Sequence, residues 1–145
     1  MDGSEVRLVR SPVLSNQALN ELFQLAWKNH APTDFAYLRT HSLGWVGALA
    51  GDLLVGFVNV AWDGGRHAFL LDTTVHPDHQ RRGLGKALVA QALDLARDAG
   101  VEWLHVDFEP GLEPFYRACG FRATAAGVVR LEQTVGNQGE VLPKP

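Results

Sequence analysis

The spacing of hydrophobic and polar positions changes period several times along the chain. Residues 5–10, EVRLVR, alternate and predict a first strand. From a cap at Ser15 or Asn16 to about His30 the period lengthens, and Leu19, Leu22, Phe23 and Ala26 share one helical face. Residues 32–41, PTDFAYLRTH, predict a second, short helix opened by Pro32 and Thr33. The period then drops to two. GWVGALA, the turn GD and LLVGFVNVAW predict a hairpin over 44–62. DGGR (63–66) is another turn, and HAFLLDTTV (67–75) is a largely apolar strand expected at the centre of a sheet. From Gly83 to Ala99 the helical period returns with Leu84, Leu88, Ala92 and Leu95 on one stripe, and Gly100 stops it. VEWLHVDF (101–108) predicts a strand and LEPFYRACG (112–120) a short helix closed by Gly120. FRATA and GVVRL predict a last hairpin. The polar, then Pro-rich residues 133–145 are expected to form a flexible tail.

The order β-α-α-β-β-β-α-β-α-β-β places an antiparallel meander before a strand-helix-strand crossover. That crossover makes strands 67–75 and 101–108 parallel. The expected class is therefore α/β with a mixed sheet, in one domain over residues 1–132 with no linker or internal repeat.

Bulk properties narrow the partners. Hydrophobic residues make up 46% of the 145-residue chain, enough for a packed core. A formal net charge of −3 argues against a dedicated nucleic-acid binder. Cys119 is the single cysteine, which excludes an intrachain disulfide and fits a reducing cytoplasm. No apolar leader opens the sequence, and no apolar run approaches the ~20 residues of a membrane span. A soluble cytoplasmic protein is the expectation.

The candidate chemistry lies between the strand at 67–75 and the helix that follows. VHPDHQRRGLGKALV (75–89) sets Arg81 and Arg82 directly before Gly83-Leu84-Gly85 at a helix start. Helix starts carry free N–H groups and partial positive charge, glycines allow close backbone approach, and arginines add fixed charge. The combination describes a phosphate cradle at the carboxyl end of a strand. It is not a P-loop, because Gln80 and Ala87 stand where that motif needs Gly and Ser or Thr. It is not a dinucleotide fingerprint, because Leu88 stands where a small residue is required.

Val75-His76-Pro77-x-x-Gln80-x-x-Gly83-x-Gly85 resembles the acyl-CoA-binding loop of the GNAT superfamily of N-acetyltransferases. Downstream, Phe115-Tyr116-Arg117-Ala118-Cys119-Gly120-Phe121 resembles that family's Tyr-x-x-x-Gly-Phe segment. With the matching element order, the resemblance covers about residues 5–131. It implies a central twisted mixed sheet of about six to seven strands flanked by about four helices. It also implies acetyl-CoA or coenzyme A as cosubstrate, with no metal. Backbone N–H groups from about Arg81 to Lys86 would hold the pyrophosphate, with Gln80, Leu84 and Gly85 in the same loop. The side chains of Arg81 and Arg82 would reach the phosphates or face water. Backbone of Thr73, Thr74 and Val75 would pair with the pantetheine arm, and an N–H there would polarise the thioester carbonyl.

The same resemblance makes Tyr116 the candidate acid that protonates the leaving thiolate, against the plain alternative of a packed helix tyrosine. The base does not carry over directly. Family positions for it fall on Phe69 and Leu71, which accept no proton. Asp72 is adjacent, but strict alternation turns it to the other face unless a bulge intervenes. Allowing a one-residue deletion, His105 on the next strand matches a second family position, with Asp107 on its face to orient it or act itself. His105 as an ordinary strand histidine stays open. Glu109 stands where many members carry Asn. His76, Asp78 and His79 form a poor metal set in a Pro-containing turn, and Cys119 reads as a small core residue.

The expected function is direct transfer of acetyl from acetyl-CoA to a primary amine. The alternative is a catalytically silent acyl-CoA-binding or regulatory module. Partners would be a small-molecule or peptide amine, with neither nucleic acid nor membrane, and a homodimer is open. The amine would be shaped by residues 28–45, the 63–66 turn and the last hairpin, with His30, Asp34, His41 and Trp45 as candidate lining.

Overall fold

The structure is a computed structural model and describes residues 5–132. The predicted flexible tail, 133–145, lies outside the described residues. The chain divides into two compact units, one up to Asp107 and one from Phe108 onward.

The first unit is a five-stranded sheet in the order β1-β2-β3-β4-β5. Its strands are β1 (Val6–Arg10), β2 (Ser42–Ala50), β3 (Leu53–Trp62), β4 (His67–Val75) and β5 (Trp103–His105). β1 to β4 form an antiparallel meander, and β4 pairs with β5 in parallel, as the crossover requires. The crossover is α3 (Leu84–Asp98), whose stripe of Leu88, Val89, Ala92, Leu95 and Ala96 is buried. It packs on β1 to β4. Gly56 of β3 makes room for it: a Cβ there would sit 2.9 Å from Leu88 Cδ1 and 3.1 Å from Ala48 Cβ.

A second core forms around α1 (Asn16–Ala26) and α2 (Tyr37–His41), where Leu19, Leu22, Phe23, Phe35 and Leu38 meet Leu54 and Phe57. Ser15 caps α1 by accepting from Ala18 N (3.0 Å). Both helices are shorter than their apolar spacing predicts. α1 stops at Ala26 because Trp27 is extended, with φ −116°. The Asn20 side chain then grips Thr33 at both N–H and C=O (2.9 Å each) and meets His30 Nε2 at 2.7 Å. Asn20 thus holds Thr33 in non-helical chain where the second helix was expected to open. Instead Asp34 Oδ1 accepts from Ala36 N (3.0 Å), just ahead of α2.

β4 has β3 and β5 on its two sides, but it is not buried on both faces. Ala68 and Leu70 are buried, while Phe69 and Leu71 are 40% and 37% exposed. β5 is three residues rather than the eight of 101–108.

In the second unit, α4 (Glu113–Ala118) follows a 3-10 turn, Pro110–Leu112. The expected final hairpin is absent. Residues 121–132 form no strand, and Val128, Val129 and Leu131 are largely exposed. The sheet therefore has five strands among the described residues rather than six or seven. A short alternating run is a strand only where a ladder partner and an apolar surface receive it, and these residues have neither. Cys119, expected in the core, is half-buried at the end of α4.

Candidate active site

The break in β4 organises the site. Along β3 the register runs from Phe57↔Thr74 to Asn59↔Leu71, so Asp72 and Thr73 together stand opposite Val58. This is a bulge, and Asp72 takes the left-handed conformation at φ 60°. Strict alternation would have turned Asp72 onto the buried face of Leu70; the bulge leaves it exposed instead. Surrounding protein still withholds water from the carboxyl, and this desolvation raises its pKa above the ordinary carboxylate value. Tyr37 of α2 is near enough to feel this carboxyl. Its hydroxyl pKa is raised first by burial and then by the charge of Asp72. Two hydrogen bonds tie the bulge down: Trp27 Nε1 donates to Thr74 Oγ1 (3.1 Å), which donates to the Asp72 carbonyl (2.8 Å).

The β4–β5 ladder covers only His67↔Trp103, Ala68↔Leu104 and Phe69↔His105. β4 then continues to Val75 beyond the end of β5's ladder, so the two strands part ahead of the bulge. The parting strand leads into the predicted cradle. His76 N–H donates to Val55 O (2.8 Å), holding the chain on β3. Gln80 Nε2 donates to Val75 O (3.2 Å), folding the turn back on the strand end.

α3 then starts at Gly83, which is left-handed at φ 80° and caps the helix without any side-chain hydrogen bond. Its first turn therefore keeps N–H groups that no capping side chain satisfies. A Cβ at Gly83 would find no protein atom within 4 Å, so the space beside this backbone is open. Arg81, Arg82 and Lys86 are exposed around it and make no ion pair among the described residues. Open space, donors and fixed positive charge together suit a phosphate-bearing ligand.

His105 is exposed on β5. It stacks on Phe69, with ring centroids 4.9 Å apart, and its Nε2 lies 2.8 Å from His67 Nδ1, one ring donating and the other accepting. Its hydrogen-bond partner is therefore His67 rather than Asp107. Among the predicted acceptor-lining residues, Asp34 accepts from Asn16 as well as Ala36 N, and these bonds lower its carboxyl pKa. Trp45 Nε1 donates to Pro12 O (2.8 Å) and His30 is held by Asn20, so both serve the local fold. His41 is exposed at the end of α2.

His76 Nδ1 accepts from Asp78 N (3.0 Å), which caps a 3-10 turn at Pro77–His79, and no cluster of three metal-ligating side chains occurs among the described residues. No described helix is long and apolar enough to cross a membrane.

In the second unit, Tyr116 is buried on α4. Its ring stacks on Phe108 at 5.0 Å and meets Phe115 and Phe121 edge-on. Gly120, left-handed at φ 105°, lets Phe121 N–H return to Tyr116 O (3.0 Å). Glu109 precedes the 3-10 turn of this unit.

Trp27, Tyr37 and His67 were missed by sequence reasoning. His67 was findable, since it stands two residues from Phe69 on the same strand face. Trp27 and Tyr37 carry no local signal, because their partners on β4 lie more than thirty positions away.

Residues 15–121 match the model of the acetyltransferase (GNAT) family. An uncharacterized N-acetyltransferase, ycf52, of Pyropia yezoensis is 35% identical over 79 residues, 54% of this chain and 45% of its own length. The chain thus spans about half the length of such curated relatives. Among solved structures, a GNAT-family acetyltransferase from Streptococcus pneumoniae superposes with a TM-score of 0.69 at 24% identity, covering 90% of this chain and all of that one. The aminoglycoside N-acetyltransferase AAC(6')-Iy, solved in complex with CoA, gives a TM-score of 0.68 at 19% identity over 91% of this chain and 97% of that one. At these identities the two structures speak for the fold alone.

Proposed function

Because the chain belongs to the acetyltransferase (GNAT) family, we propose that residues 1–132 work as one acyltransferase domain that moves acetyl from acetyl-CoA directly to a primary amine, with Asp72 accepting the amine's proton. The observation that carries this reading is the open start of α3 at Gly83, where no side chain bonds the first-turn N–H groups, joined by a short turn to the bulged end of β4. Acetyl-CoA, when bound, supplies an activated thioester; everything else is the work of the chain.

Backbone N–H groups from Arg81 to Lys86 bind phosphate oxygens, and the side chains of Arg81, Arg82 and Lys86 add positive potential. Gln80 fixes the turn, and Leu84 and Gly85 give the first helical turn its close approach. Backbone of Thr73, Thr74 and Val75 aligns the pantetheine arm, and an N–H of this segment faces the carbonyl oxygen that gains charge.

Asp72 is suited to the proton because burial has raised its affinity for one. A left-handed aspartate in a strand is strained, and such strain persists where function or surrounding structure requires it. Tyr116 supplies the proton for the departing thiolate; its support is the FYRACGF motif. A second reading gives the amine's proton to His105 with Asp107 nearby. It is favoured by the 2.8 Å contact with His67, which offers that proton an onward partner. The acceptor is a small-molecule or peptide amine.

Thermal shift with acetyl-CoA, then thiol release with a panel of amines, tests the proposal. Binding without turnover on any amine would favour a silent acyl-CoA module. With a working amine, Tyr116→Phe should lower kcat by about 100-fold, the lower end for a general acid, with acetyl-CoA affinity nearly kept. A wild-type rate would remove Tyr116 from the mechanism.

A further inference from the structure

We infer that Trp27 is a positioning residue for the proton acceptor: it holds the Asp72 bulge of β4 in shape through the hydroxyl of Thr74. The inference rests on the reading of Asp72 as the base.

A bulge with a left-handed aspartate is not self-sustaining. Its backbone gives up a regular ladder position, and its φ of 60° is unfavourable for a residue with a side chain. Something must over-determine it. Thr74 Oγ1 does so locally by donating its one proton to the Asp72 carbonyl at 2.8 Å, closing a turn across the bulge.

That donation commits the hydroxyl's proton, so its lone pairs point elsewhere. An indole N–H donates and never accepts, so Trp27 Nε1 at 3.1 Å fixes the direction of the chain from Trp27 to Thr74 to Asp72. Thr74 is 2% exposed, so water competes poorly for this hydroxyl. Without the indole, a buried acceptor loses its donor and the hydroxyl is free to turn away from the bulge.

Trp27 is itself anchored. Its backbone N–H donates to Phe23 O (2.7 Å), so the indole is delivered by the last turn of α1. The extended Trp27 that stops α1 is thus the residue that reaches β4. The shape of the connection after α1 and the setting of Asp72 are joined by two hydrogen bonds.

The test compares Trp27→Phe, Thr74→Val, Thr74→Ser, the Trp27→Phe/Thr74→Val double variant and Asp72→Asn. The assay is thiol release from acetyl-CoA with the best of phenethylamine, L-lysine and kanamycin. Trp27→Phe keeps the ring and removes the N–H-bearing five-membered half. It should lose about 10-fold in kcat, a small misplacement effect, with the KM for acetyl-CoA little changed. Its acidic limb should move to lower pH, because a loosened Asp72 is better solvated. Thr74→Val should do the same and Thr74→Ser should rescue. The double variant should be no worse than either single one, since both cut the same chain.

If Asp72→Asn is inactive while Trp27→Phe keeps its rate and its acidic limb, the positioning role is overturned and the base assignment stands. If no amine turns over, or Asp72→Asn is as fast as wild type, the base assignment is lost. The strap is then judged by hydrogen exchange at the amides of 72–74. Faster exchange in Trp27→Phe supports it, and unchanged exchange overturns it.

Discussion

α3 and the 27–41 connection cover opposite sides of the same sheet, and they are specified in different languages. α3 is fixed by period. Five buried apolar residues recur at helical spacing, and Gly56 of β3 leaves the space they fill. The 27–41 connection is fixed by side chains bonding backbone: Asn20 to Thr33, Asn16 to Phe35, Asp34 to Ala36, Trp27 to Thr74. The first kind of specification is spread over many weak contacts. The second rests on a few polar groups whose partners lie 2 to 47 positions away.

Breaking the α3 side should have the largest effect. Leu88 is fully buried and would touch any Cβ placed at Gly56. Leu88→Ala should cost about 2–5 kcal/mol of unfolding free energy, read by urea denaturation. A loss under 1 kcal/mol would mean that α3 is not packed as described.

On the other side, one polar side chain substitutes for a stripe. Asn20 makes two bonds to Thr33, one to Asn16 O and one contact with His30. Asn20→Ala should cost about 1–3 kcal/mol, because part-buried donors and acceptors lose partners. It should also speed hydrogen exchange in 27–36 while leaving α3 protected. Uniform loosening of both sides would erase the distinction between them.

This contrast explains what was legible in the sequence. α3, β1, β3 and β4 stand where apolar spacing put them, because period reports burial directly. The end of α1 and the start of α2 were misplaced, in a stretch where Asn20 and Asp34 side chains take up backbone bonds that no period records. The start of α3 was legible because a glycine directly before an apolar helical stripe marks a turn into a helix, and Gly83 makes that turn in the left-handed region. The bulge stood only as an alternative to strict alternation: Asp72-Thr73-Thr74 holds no glycine to announce a left-handed residue, and the β3 register decides it. The final hairpin was overread because FRATA and GVVRL alternate without a surface to pack on.

The proposed cradle lies between the two languages, since Gly83 is a backbone requirement at the head of a periodic helix. Gly83→Val forces a branched side chain to φ 80°, costing roughly 1–2 kcal/mol of fold stability. Its Cβ meets no protein atom, so any larger loss must come from the ligand. Acetyl-CoA binding, measured by calorimetry, should disappear while the circular dichroism of the sheet persists. Retained affinity would move the cradle elsewhere.

The smallest effect should have the opposite sign. Asp72 has a raised pKa in the folded chain because burial penalises its charge. A group whose folded pKa lies above its unfolded value favours folding when protonated. That contribution is lost as pH rises through the folded pKa. Once ionised, Asp72 is therefore a burden on the fold. Asp72→Asn removes the charge and keeps the size, and asparagine tolerates the left-handed region well. The variant should melt slightly above wild type at pH 7–8, within the ~0.5 kcal/mol usual for exposed sites. The gap should close as pH falls below the carboxylate range, where both side chains are neutral. Such a gain alongside lost turnover would mark Asp72 as a site where stability has been given up for chemistry. A lower melting temperature at neutral pH would mean that the ionised carboxylate has a stabilising partner, and its case as a proton acceptor would weaken with it.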